Sequence, residues 1–71
     1  MTEVHLTRRK LEVLRGIAEG HTTKAIAIDL GVSPKTVEYH RSRLYKILNR
    51  HDTAMLVRYA VKIGMIPKDR L

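Results

Sequence analysis

The chain has 71 residues, with 14 Lys+Arg against 7 Asp+Glu for a formal net charge of +7, and no cysteine. That length gives one small domain with a thin core; lacking disulfides and thiolate-bound zinc, it is left with association as the natural way to bury more apolar surface. The basic excess suits a polyanionic partner such as nucleic acid ahead of an anionic membrane surface, and no apolar run approaches the roughly 20 residues of a membrane span.

The punctuation divides the chain into four helical segments. Thr7 is an N-cap, with Leu6 placed to pack on Leu11 as a hydrophobic staple. Leu11, Leu14, Ile17 and Ala18 then recur with helical period up to Gly20, which predicts a first helix over about 8–19. Thr22 or Thr23 caps a second helix carrying Ile26, Ala27 and Leu30 on one face, ended by Gly31, which is free to take a left-handed turn. Ala27 is small enough to let two helices cross closely. Ser33 and Pro34 form an N-cap and first-turn pair that opens a third helix running to about Leu48, where Asn49 tolerates a left-handed backbone. Asp52 caps a fourth over about 53–63, stopped by Gly64 with Pro67 beyond. No strand alternation competes, so the fold class is all-α.

On the third helix, about 100° per residue puts Val37, Leu44 and Leu48 on one side, with the Arg41 stem covering the edge of that face. Opposite lie Lys35, Tyr39, Ser42 and Lys46, flanked by Glu38 and Arg43. A polar helix face by itself is usually only solvated. Here it follows a turn glycine, a small crossing residue and a capped start, and together these are the marks of a helix-turn-helix that reads the DNA major groove. Helix N-termini suit phosphate oxygens, so Thr22, Thr23 and Lys24, then Ser33, Lys35 and Thr36, are the phosphate candidates, with His40 and Lys46 beside them. Glu38, Tyr39, Ser42 and Arg43 are the base-reading candidates: a carboxylate accepts from a cytosine amino group, a guanidinium donates to guanine, and a tyrosine ring meets a thymine methyl or a phosphate. Glu38 has the alternative of pairing with the Arg41 or Ser42 side of its own helix, and His40 that of simple packing.

On the fourth helix, Ala54, Val57, Ala60 and Val61 share an apolar face that Leu56 and Ile63 extend, with Met55 and Tyr59 far round. So wide a stripe is more than a single core contact needs. One side is expected to pack on the first three helices and the other to pair with a symmetry mate through Val57, Ala60, Val61 and Gly64.

The chain resembles the LuxR-type (FixJ/NarL/GerE-like) DNA-binding domain of bacterial transcription regulators. The matching stretches are Leu6–Thr7, EVLRGIAEG from Glu12 to Gly20, KAIAIDL from Lys24 to Leu30, SPKTVEYH from Ser33 to His40, and AMLVRYAVKIGMI from Ala54 to Ile66. The resemblance implies a four-helix domain whose third helix enters the major groove, and homodimers on DNA paired through the fourth helix. Several positions depart from the family pattern. Lys10 replaces a usual Glu and removes a Thr–Glu capping box at Thr7. Ala25 replaces a common Glu, and Ile28 is apolar where the family is usually polar. Ile47 and Asn49 stand in place of Lys and Gly, and Glu38 with Tyr39 are uncommon choices for base readers.

The expected function is therefore a sequence-specific, dimeric, DNA-binding transcription regulator, its domain filling residues 1–71 with a core over about 5–66. A second function uses the same scaffold to bind RNA polymerase or another regulator, as a sigma-factor region 4 does. No enzyme is expected, since no carboxylate pair or nucleophile–base arrangement is visible. No metal or other cofactor is expected either, since His5, His21, His40 and His51 lack ligand spacing. The opening MTEVHLTRRK lacks the apolar core of a signal peptide, so a cytoplasmic location on the bacterial nucleoid is the expectation.

Overall fold

The computed structural model describes residues 6–49 and 52–67; His5 and His51 lie outside the described residues. Four helices follow in order: α1 (Arg8–Ala18), α2 (Thr23–Leu30), α3 (Pro34–Leu48) and α4 (Thr53–Lys62). Each begins with a side-chain cap made three residues ahead, as the sequence predicts. Thr7 accepts from the Lys10 amide, Thr22 from Ala25, Ser33 from Thr36 and Asp52 from Met55. At α1 the single cap is made without a capping box. Glu12 instead draws Arg8 and Arg9 onto the same helix surface, at 3.7 and 3.1 Å.

Two left-handed residues set the chain's sharpest reversals. Gly31 adopts φ +70°, and the Gly31 and Val32 amides donate to the Ile28 and Ala27 carbonyls at 3.3 and 3.0 Å. The Ala27 and Ile28 carbonyls of α2 are thereby satisfied, and only three residues separate the end of α2 from the start of α3. Asn49, at φ 53°, closes α3 in the same way and is the one non-glycine with positive φ among the described residues.

The core is a single cluster: Val13, Leu14 and Ile17 from α1, Ile26 and Ala27 from α2, Val37, Leu44 and Leu48 from α3, Leu56 and Ala60 from α4, and Ile66 beyond. α1 is the central element, packing on each of the other three, while α2 packs on α3. Two expectations about which faces turn inward need correction. On α1, Leu11 is only half-buried, whereas Val13 is fully buried. Leu11 lies about 120° round the helix from Ile17, and the buried stripe is centred on Ile17. On α4, the inward meridian runs between Leu56 and Ala60, both at 0% exposure. Ala54 is exposed, and Tyr59, on the other flank of that meridian, packs against the core cluster. Ala60, expected at a pairing face, is thus spent on the domain's own interior and offers no surface to a second copy. Val57 and Val61 are half-buried and Gly64 exposed on the same side.

Among the described residues, no helix is long and apolar enough to cross a membrane.

Candidate nucleic-acid interface

The outer surface of α3 is built by what the inner surface takes. With Val37, Leu44 and Leu48 buried, helical geometry sends Lys35, Glu38, Tyr39, Ser42, Arg43 and Lys46 outward, and all six are exposed. Tyr39 keeps 56% of its surface accessible, large for an aromatic residue and unexplained by packing within the protomer. Of the helix-start candidates, Thr22, Lys24 and Ser33 are exposed, while Thr23 and Thr36 are half-buried.

Charge is distributed unevenly over this surface. Among the described residues, the ion pairs all lie on α1: Glu12 with Arg8 and Arg9, and Glu19 with Arg15 at 3.5 Å. Glu38 pairs with neither Arg41 nor Ser42, because the Arg41 guanidinium turns the other way, toward Tyr45 and Thr53. Among the described residues, Lys24, Lys35, Arg43 and Lys46 thus have no carboxylate partner, an arrangement that preserves their charge for an anion from outside.

The two helix starts differ in what they have left to offer. At α2, the Thr22 hydroxyl oxygen accepts from the Ala25 amide at 3.0 Å, and the Ile26 amide reaches the Thr22 carbonyl at 2.9 Å. The Thr23 and Lys24 amides remain without an intrahelical acceptor. At α3, the Ser33 hydroxyl accepts from the Thr36 amide at 3.1 Å and shares a hydrogen bond with the Thr36 hydroxyl at 3.0 Å. Pro34 carries no N–H, so the Lys35 amide is the single free donor of that first turn. Thr22, Ser33 and Thr36 are accordingly committed first to capping, which fixes the direction of the free amides.

His40 sits at the inner margin of this surface, half-buried, with its ring edge-to-face against Tyr39 at a centroid separation of 5.4 Å. Its Nδ1 is buried without a hydrogen-bond partner, so any phosphate contact falls to Nε2. Desolvation, followed by the charges of Lys10 and Arg9 on α1, holds the imidazole below its ordinary value, and the ring is neutral at pH 7.

Sequence reasoning missed one group. Arg41 does cover the edge of the core, and its guanidinium also donates to the Tyr45 hydroxyl at 3.3 Å and to the Thr53 hydroxyl. Burial alone raises the Tyr45 phenol, but hydrogen bonds from Thr53 and Arg41 and the Arg41 charge outweigh it, leaving the group below its ordinary range. Spacing within α3 hinted at the Arg41–Tyr45 pair, four residues apart, but nothing local points to Thr53.

Comparison with known proteins bears on what such a surface is for. The profile of the family described as bacterial regulatory proteins, luxR family, matches residues 4–60. The chain is 38% identical over 64 residues to the transcriptional regulatory protein FixJ of Azorhizobium caulinodans, covering 90% of this chain and 30% of that protein. It is 46% identical over 57 residues to the oxygen regulatory protein NreC of Staphylococcus carnosus, covering 80% of this chain and 26% of that one. The uncharacterized response regulatory protein YgeK of Escherichia coli is 43% identical over 60 residues, 84% of this chain and 41% of its own length. The chain therefore spans between a quarter and two-fifths of these relatives. With a family profile over most of its length and a four-helix architecture to match, the chain belongs to the luxR family of bacterial regulatory proteins and carries that family's DNA-binding transcription-regulator domain.

Proposed function

We propose that the domain binds double-stranded DNA with α3 in the major groove, as a homodimer paired through α4, and so regulates transcription. The observation that carries this reading is the exposed outer face of α3, where Lys35, Arg43 and Lys46 have no acidic partner among the described residues and stand beside Glu38, Tyr39 and Ser42. Polar groups that can read base edges thus lie within a cationic border that can hold phosphates. Thr22, Thr23, Lys24, Ser33, Thr36 and His40 bracket this face as the positioning groups. Val57, Val61 and Gly64 are the accessible part of the pairing face on α4. A location on the bacterial nucleoid follows from DNA binding. Selection from a random duplex library tests all of it at once: enrichment of a two-fold site is expected, and recovery of no sequence preference would refute the reading.

One observation favours a protein partner as well. Ile28 is 74% exposed on the outer face of α2, and with Ala25, His21 and Asp29 it lines a shallow depression. An aliphatic side chain so exposed suits contact with RNA polymerase or another regulator bound nearby. Ile28→Ser would then reduce transcriptional output while leaving DNA affinity unchanged.

A further inference from the structure

α4 packs chiefly on α1, and α3 on α1 and α2 alike, rather than on each other. Beyond their shared apolar core, a polar link joins them directly. The Arg41 guanidinium donates to the Thr53 hydroxyl at the first turn of α4, and Tyr45 lies 3.3 Å from the same hydroxyl. Arg41 also bonds the Tyr45 hydroxyl at 3.3 Å, with its guanidinium carbon 5.9 Å from the centre of the Tyr45 ring. All three residues are half-buried. The side-chain hydrogen bonds of Thr7, Arg9, Thr22, Ser33 and Asp52, by contrast, join groups three apart within one helix or its cap. The triad thus carries side-chain hydrogen bonds from one helix to another.

Its components are unequal in a way that favours direction over strength. A guanidinium is rigid and planar, so a hydroxyl bonded to its edge is held in angle as well as distance. The hydroxyl it holds belongs to the first residue of α4, so restraining Thr53 restrains the start of that helix axis. Arg41 and Tyr45 stand on the inner side of the helix that bears Tyr39, Ser42 and Arg43.

We propose that Arg41, Tyr45 and Thr53 form a positioning device that fixes the angle of α4 relative to α3, and so sets which half-site separation two paired copies accept. The inference rests on the proposed reading of DNA by α3 and pairing by α4. In a two-fold dimer the distance between recognition helices is a geometric consequence of how each is held to the pairing helix. A slack joint lets the two α3 helices reach several separations, and a stiff one selects a single separation. None of the three side chains needs to touch a base for this.

The test is a spacing series: duplexes bearing one half-site, or two half-sites with base pairs added or removed between them, are titrated with the parent, Thr53→Val, Tyr45→Phe and Thr53→Ser. Thr53→Val keeps shape and Asp52 as the cap while removing the hydroxyl, and Thr53→Ser restores it. Single-half-site affinity is expected to stay within about twofold in all four. Discrimination between the best spacing and its neighbours should fall about tenfold in Thr53→Val, the worth of one charge-assisted hydrogen bond, and return in Thr53→Ser. A spacing preference in the parent that Thr53→Val and Tyr45→Phe keep intact would overturn the triad proposal and leave the pairing reading standing. Single-site affinity falling in step with paired affinity would also overturn it, as the mark of general destabilisation. A parent with no spacing preference would remove the pairing reading, and the triad proposal with it.

Discussion

Replacing Gly16 with alanine sets two physical effects against each other. Gly16 is interior to α1, and alanine there gains about 1 kcal/mol of helix propensity. Yet a Cβ at this position stands 2.7 Å from Ile26 Cγ1 and 2.9 Å from Ile26 Cδ1, closer than packed carbons allow. Ile26 is 2% exposed, so its chain has little room to swing aside, and an added methyl in such a core costs about 1–3 kcal/mol. Packing outweighs propensity, and the expected net loss is about 1 kcal/mol, a fall of roughly 4–8 °C in Tm for a domain of this size. Thermal melts by circular dichroism, with urea titration for the free energy, measure it. The decisive control is the same substitution made in an Ile26→Ala background, which removes every clashing atom. Ile26→Ala alone costs about 2–5 kcal/mol of a total near 4–10 kcal/mol, so this arm is run in stabilising sulfate. There Gly16→Ala should stabilise, reversing its sign. Stabilisation in the parent, or an equal loss in both backgrounds, would refute the close-approach account of this glycine.

Other outcomes follow from the interface. Lys24→Ala and Lys35→Ala should weaken binding to all sequences alike and flatten the salt slope by about one unit, whereas Tyr39→Ala and Arg43→Ala should change which sequence is preferred; fluorescence anisotropy over a salt series separates the two classes. Val61→Glu places a charge on the accessible part of the proposed α4 pairing face and should abolish cooperative binding to two half-sites, read by gel shift, with single-site binding retained. Ser33→Ala removes the acceptor of the Thr36 amide at 3.1 Å and should cost about 1 kcal/mol in urea titration. The unfolded chain protonates His40 near its ordinary value, and the folded one only at lower pH, so stability should decline as pH falls below about 6.5, with that decline diminished in His40→Gln.

Much of the fold is legible in the sequence because its signals are local. Thr22, Ser33 and Asp52 each cap an amide three residues ahead, and Gly31 and Asn49 take left-handed conformations that their own chemistry permits. The outer face of α3 is legible for the same reason: once Val37, Leu44 and Leu48 are known to turn inward, helical period dictates what turns outward. Legibility fails where two helices compete to define a face. On α4 the period alone allows a stripe centred on Val57 and Val61 or one centred on Leu56 and Ala60, and the helix uses the second. Choosing between them requires knowing the direction from which α1 approaches.

The sequence by itself thus determined four helices, their ends, an all-α class, and a cationic, polar outer face on α3. Each of these depends on residues within about one or two helical turns, over which backbone geometry is nearly fixed. Only the tertiary structure decided that Val13 rather than Leu11 enters the core, that Gly16 exists to admit Ile26, and that Ala60 belongs to the interior. It alone brought Arg41 to Thr53, 12 residues away, because that contact depends on how α3 and α4 are each laid against α1.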